Sequence, residues 1–144
     1  MEIQKDIDQI QSELYRATHN WHRILEKVTN HFEHWESLSK QIFKELVQFT
    51  PRDSKETLTG SVLNKKFRIH FTPLIKNRSL YAETIIDVFF PAQELTIESG
   101  RFLLDKDGRI FDVNTEPLIT EFDDMPSYSL FCNILLAILK TEAP

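Results

Sequence analysis

The chain has 144 residues, enough for one domain with a sizeable core, and 41% of them are hydrophobic while 27% are charged. The formal net charge of -5 disfavours a role in which the whole surface binds phosphates, and only three glycines argue against a low-complexity chain. The N-terminus is charged, and no apolar run reaches the roughly 18 residues of a membrane span, so we expect a cytoplasmic protein without a signal peptide.

The first third of the chain has the pattern of one long helix. Residues 2–49 contain neither proline nor glycine, and their apolar residues recur in alternating steps of four and three. This heptad spacing predicts a helix over residues 1–50 that ends before Pro51. The narrow first part of the seam suits packing against a partner helix, whereas the wider stripe after Leu25 suits a domain core. The seam residues expected at a partner interface are Ile3, Ile7, Ile10, Leu14 and Trp21.

A tryptophan on this helix can pack in the domain core or at a partner interface. Trp35 lies where the stripe is wide, and we expect it in the core. Trp21 lies on the seam near the boundary between the two parts, so both a core role and an interface role remain open for it.

Residues 56–113 change to short alternating segments and predict an antiparallel meander of about five strands. A two-residue turn at Asn64–Lys65 would join the first two strands. A second turn, centred on Asn77–Arg78, would place Arg68 opposite Asp87 as a cross-strand charge pair.

The chain closes with an acidic loop and a second helix. Residues 114–124 are expected to form the loop, and residues 125–141 a helix with Asp124 as its N-cap. This helix is apolar on most sides, so it should pack with the sheet, and Cys132 should be a buried thiol. The predicted fold is therefore a single α+β domain with a long N-terminal helix, an antiparallel meander sheet and a C-terminal helix packed with the sheet.

The stretch "DKDGRIFDVNTE" has the outline of a calcium-binding loop. Asp105, Asp107 and Glu116 occupy positions 1, 3 and 12 of such a loop. Arg109 stands where a ligand belongs, and Ile110 replaces the glycine of the sharp bend. The first four residues instead have aspartate first and glycine fourth, which is typical of a type I turn within a hairpin. We therefore predict a turn and no metal site.

Two histidine pairs lie on the long helix. His19 and His22 are three residues apart, as are His31 and His34, so each pair could face one metal ion. No third ligand completes either pair, and we predict no metal there. His31 falls on the seam and is expected to be hydrogen-bonded or at an interface, where it could make packing sensitive to pH.

The meander should present a polar face. A histidine beside a carboxylate can begin an acid–base pair, yet no nucleophile or phosphate-binding loop accompanies it, so we predict no catalytic residue and no cofactor. Apolar residues interrupt this face, which favours partial cover by a partner. The predicted partner-binding residues on it are Arg68, His70, Tyr81 and Glu83.

Three functions remain open. The first is a non-enzymatic protein-binding module, such as a bacterial chaperone, adaptor or toxin-neutralising immunity protein, that meets a protein partner or a second copy of the chain. The alternative is a carrier of a small apolar ligand, held between the long helix and the inward residues of the sheet. The residues expected to line that pocket are Phe67, Ile69, Phe71, Ile86 and Val88.

Nucleic-acid binding is the third and least favoured function. Basic residues cluster near the two predicted turns, yet residues 51–113 hold ten lysines and arginines against nine acids, which is close to neutral. The clustered residues are Lys65, Lys66, Arg68, Lys76 and Arg78.

Overall fold

A computed structural model describes residues 1–52, 54–120 and 125–144. These residues contain two α-helices and seven strands in one antiparallel sheet, whose strands neighbour one another in chain order. The helices are α1 (Ile7–Gln41) and α2 (Pro126–Lys140). The strands are β1 (Val47–Phe49), β2 (Thr57–Val62), β3 (Lys65–Lys76), β4 (Ser79–Phe90), β5 (Leu95–Leu104), β6 (Ile110–Phe111) and β7 (Pro117–Ile119). The α+β class is confirmed, while the predicted count of about five strands is too low.

The long helix is shorter than the sequence pattern suggests. Asp6 caps its start, because its carboxylate accepts a hydrogen bond from the backbone N–H of Gln9 at 3.2 Å. Ile3 therefore precedes the helix. At the other end the helix stops at Gln41, and residues 47–49 form β1 where the periodicity predicted more helix. Because β1 pairs with β2, a tertiary contact overrides the local pattern.

The hairpin turns set the register of the longest strands. Arg68 pairs with Asp87 across β3 and β4, as predicted. The turn between β2 and β3 lies at Leu63–Asn64, one residue before the predicted position. Both turn residues have positive φ, 48° and 69°, as a type I′ turn requires, and asparagine tolerates this conformation well. The shift changes the pairing by two residues and therefore leaves each side chain on its predicted face.

Two further strands extend the predicted meander. β1 is added before it, and β7 lies within residues 114–124, which were expected to be loop. β5 is one continuous strand of ten residues, and its pairing with β4 is irregular at the step from Ile86 to Asp87. The predicted helix N-cap Asp124 lies outside the described residues.

Both helices pack on one face of the curled sheet, which we call the inner face. The indole of Trp35 stacks on the ring of Phe131, with the centroids 5.7 Å apart and the planes 9° apart. Trp35 also donates a hydrogen bond from Nε1 to the backbone carbonyl of Ser127 at 3.0 Å. The five inward residues that could have lined a pocket are at most 4% exposed and belong to this core: Phe67, Ile69, Phe71, Ile86 and Val88.

Candidate functional site

The start of α1 extends beyond the core. The first residue of the helix that is fully buried is Ile24, although the apolar spacing begins with Ile7. We call residues 7–20 the projecting turns. Within them Ile7 is 70% exposed and Leu14 is 62% exposed, while Ile10 is half-buried. The predicted seam therefore exists on the helix, and its first part lies in solvent.

The projecting turns end beside the tip of the β3–β4 hairpin. Trp21 is half-buried and packs on the core, with its ring centroid 5.7 Å from that of Phe71. A groove of about 520 Å³ separates the helix from Ile75 and Leu80 at the hairpin tip. Ile75 is itself 59% exposed, but the helix side of the groove is mostly polar, with Gln9, Glu13 and Arg16 among its residues.

The opposite face of the sheet, which we call the outer face, carries a charge cluster. Arg68 donates from Nη2 to Asp87 Oδ2 at 3.0 Å, and His70 places Nε2 at 2.9 Å from the same oxygen. The Asp87 side chain is largely buried, so the Arg68 charge and the hydrogen bond with His70 compensate a carboxylate that would otherwise be costly to bury. The arrangement holds a histidine and a carboxylate together, with both groups engaged in a structural contact.

The neighbouring strand adds a second group of ion pairs. Glu83 accepts from Arg101 at 3.3 Å, and Arg101 also pairs with Glu98. Sequence reasoning missed Arg101, because only the pairing of β4 with β5 brings it beside Glu83. Tyr81 is 8% exposed and packs edge-on against Phe111 at 5.7 Å. Of the four residues predicted on this face, Tyr81 is thus the one that neighbouring side chains cover.

The two sets of predicted partner residues lie on different surfaces. Arg68 and His70 point to the outer face, whereas α1 packs across the inner face and carries the seam past its edge. In the part of the chain that the structure describes, the seam and the charge cluster therefore form two separate surfaces.

The stretch that resembled a calcium-binding loop is a turn, and its first residue, Asp105, stabilises it. Asp105 Oδ1 accepts from the backbone N–H groups of Asp107 and Arg109, both at 2.9 Å, and Oδ2 accepts from Arg109 Nε at 2.8 Å. Gly108 has φ of 81°, as predicted for this hairpin. In the described part of the chain, no group of three or more His, Cys, Asp or Glu residues could hold a metal ion.

Two helical histidines share one hydroxyl. The Nδ1 atoms of His31 and His34 each lie 2.9 Å from Ser127 Oγ at the start of α2. A serine hydroxyl can donate to one ring nitrogen and accept from the other, so it can link the two rings. Burial, with smaller contributions from His34 and Lys27, lowers the pKa of His31 from 6.5 to about 4. The predicted hydrogen bonding of His31 is confirmed, whereas no sequence signal pointed to Ser127.

The basic cluster is partly engaged within the chain. Lys65 donates from Nζ to the backbone carbonyls of Leu139 and Thr141, and Lys76 donates to the carbonyl of Val113. Two of the five clustered cations thus bind backbone carbonyls, Lys65 at the end of α2 and Lys76 in the segment that follows β6. This arrangement reduces the charge available for a phosphate backbone.

An apolar groove of about 340 Å³ lies between α2 and the last strands of the sheet. Leu130 and Ile134 form its helical wall, and Phe102 and Ile110 lie on the sheet side. Its polar members include Asn133, whose amide donates to the carbonyl of Ser129. The groove is beside α2 and not between α1 and the sheet, where a ligand pocket was predicted.

Comparison with known proteins gives no relative: no protein-family model, curated protein or solved structure matches this chain significantly. Within the part of the chain that the structure describes, neither helix combines the length and the apolar character that crossing a bilayer requires.

Proposed function

We propose that the protein is a non-enzymatic protein-binding module of the cytoplasm, acting as a small chaperone, an adaptor or a toxin-neutralising immunity protein. The observation that carries the proposal is the exposed seam on the projecting turns. Ile7 and Leu14 continue the heptad spacing of the buried half of α1, yet they contact solvent. A partner helix placed on this seam would bury side chains that already share one face.

The energetics favour a partner. Burial of a leucine or isoleucine side chain contributes about 1.5–3 kcal/mol, so these few residues represent a substantial unused driving force. Isolated helical turns are also only marginally stable in water, because most helix stability in proteins comes from tertiary packing. A second protein, or a second copy of this chain, would supply that packing for residues 7–20.

The outer face offers a second contact surface. Arg68 is about half exposed, and His70 and Glu83 are each about a quarter exposed. Charges of both signs on one sheet face favour specific pairing with a polar surface more than they add affinity.

Light scattering after size exclusion tests the seam. We expect a mass above the 17.0 kDa of one chain, or stable capture of a partner, and we expect Leu14→Asp to abolish it. Tyr15→Asp is the matched control, because Tyr15 is also exposed but lies on another side of the helix. The proposal fails if the chain is a monomer and Leu14→Asp captures the same proteins at the same yield.

The apolar groove beside α2 supports a second candidate, a carrier of a small apolar ligand. Its lining by Leu130, Ile134 and Phe102 suits a hydrocarbon chain or a flat ring. Native mass spectrometry of the purified protein should then show a co-purifying small mass. Replacing Ala137, which lines the groove, with Trp should fill the space and remove that mass. An unliganded native mass that stays unliganded after incubation with fatty acids would exclude this candidate.

A further inference from the structure

The free side of β1 carries backbone groups without partners among the described residues. β1 is the first strand of the sheet, and the side away from β2 has no neighbouring strand in the described part. The Thr50 N–H donates to the Thr59 carbonyl at 2.9 Å. In the alternating antiparallel pattern, the backbone N–H and C=O groups of Val47 and Phe49 therefore point away from β2. The Val47 N–H donates back to the Phe43 carbonyl at 3.0 Å. Among the described residues, no hydrogen bond uses the Phe49 N–H or the backbone carbonyls of Val47 and Phe49.

A slot of about 640 Å³ lies along this free edge, between β1 and the end of α1. Residues 47–51 form one side of it, and the other side includes Glu36, Lys40 and Lys44. Arg52 neutralises Glu36, with Nε at 2.9 Å from Oε1. The two lysines have no ion pair with any described residue, so the slot is positively charged although the whole chain is acidic.

We propose that this slot binds an extended acidic segment of another protein, which joins the sheet as an additional strand beside β1. Such a segment would hydrogen-bond with Phe49 through its backbone and place carboxylates against Lys40 and Lys44. Strand addition supplies affinity through main-chain hydrogen bonds, and the lysines supply selectivity for acidic sequences.

The charge of the slot also distinguishes this partner from a second copy of the chain. Pairing β1 with the β1 of another copy would bring Lys40 and Lys44 of both chains to one edge, where like charges repel. The short strand followed by Pro51 further limits self-association through this edge. The slot therefore suits a short, foreign, acidic strand, and it is separate from the seam on the projecting turns.

The test uses the full chain labelled with ¹⁵N and a blocked peptide of four Val-Glu repeats. We expect the Phe49 amide resonance to shift on titration and its hydrogen exchange to slow, because the amide gains an acceptor. A peptide of four Val-Lys repeats should not bind. The inference is overturned if the acidic peptide does not bind, or if it binds without any change at Phe49.

A charge-matched pair of variants tests the lysines. The double variant Lys40→Gln/Lys44→Gln should bind the acidic peptide about tenfold more weakly, since two partly exposed ion pairs of about 0.7 kcal/mol each are lost. Lys5→Gln/Lys106→Gln removes the same charge away from the slot and should leave the affinity unchanged. Equal weakening in both variants would reduce the effect to net charge and overturn the assignment.

Peptide binding at the slot and association through the seam should be lost in different variants. Leu14→Asp leaves residues 36–51 unaltered, so it should keep peptide binding while it abolishes association through the projecting turns. Loss of both functions in that variant would contradict the separation of the two surfaces.

Discussion

The two halves of α1 have the same apolar spacing and opposite environments. Ile24, Val28 and Phe32 are buried against the sheet, whereas Ile7 and Leu14 lie in solvent on the continuation of the same stripe. A heptad pattern therefore tells which side of a helix is apolar, and it does not tell what covers that side. The covering element here ends at the tip of the β3–β4 hairpin, beside the projecting turns.

The largest expected difference between the two halves of α1 is the loss of stability when a buried side chain is truncated to alanine. Trp35→Ala removes a buried ring that stacks on Phe131 and a hydrogen bond to the carbonyl of Ser127. We expect the free energy of unfolding to fall by about 3–5 kcal/mol in urea denaturation.

Trp35→Phe is the control for this variant, because it keeps an aromatic ring beside Phe131 and loses the Nε1 donor. Its loss should be well below that of the alanine variant. Equal losses would mean that the hydrogen bond to Ser127, and not the packing, dominates at this end of α1.

The next contrast is pH dependence, which His31 introduces in the buried half of α1. Since the pKa of His31 is lowered from 6.5 to about 4, the unfolded chain binds more protons than the folded chain between these values. The stabilisation is therefore complete above pH 6.5 and is lost as the pH falls towards 4. From this group alone we expect a loss of about 2 kcal/mol between pH 7 and pH 5.

Urea denaturation at the two pH values measures this loss in the wild type and in His31→Gln. The glutamine variant does not titrate in this range, so its stability should change by about 2 kcal/mol less than that of the wild type. His22→Gln serves as the control, because His22 is exposed on the same helix. A wild-type loss that persists unchanged in His31→Gln would assign the pH dependence to other groups.

The smallest effect should come from the projecting turns. At concentrations where the chain is monomeric, Leu14→Asp should change the free energy of unfolding by about 0.5 kcal/mol or less, because only helix propensity is affected. The same substitution is expected to abolish association. A large loss of stability in the monomer would show that residues 7–20 pack within their own chain, and the comparison between the halves would no longer hold.

Local rules predicted much of the fold. The pairing of Arg68 with Asp87 followed from the turn at residues 77–78, and Gly108 adopted the left-handed conformation that its turn requires. Prediction was poorest at the ends of elements. No breaker residue marks the end of α1 at Gln41, and β1 and β7 are each three residues long, too short for a periodic signal.

The candidate surfaces were predicted less completely. Seam residues such as Leu14 were identified from spacing alone, and their exposure agrees with the first half of the seam lying beyond the core. The slot was not predicted, because it needs the end of α1 and a strand from the same chain to face each other. Tyr81 was expected on a contact surface, but Phe111 of a later strand covers it.

The sequence by itself determined the α+β class, the apolar face of each helix and the central hairpins, because these depend on the period of the side chains and on local turn chemistry. Only the tertiary structure decided where the core ends along α1, which histidines meet Ser127 and which strand edge stays open. Those features depend on contacts between residues distant in sequence. Ile7 and Leu14 have the same spacing as the buried residues of α1. They are exposed because the sheet does not extend along the helix far enough to cover them.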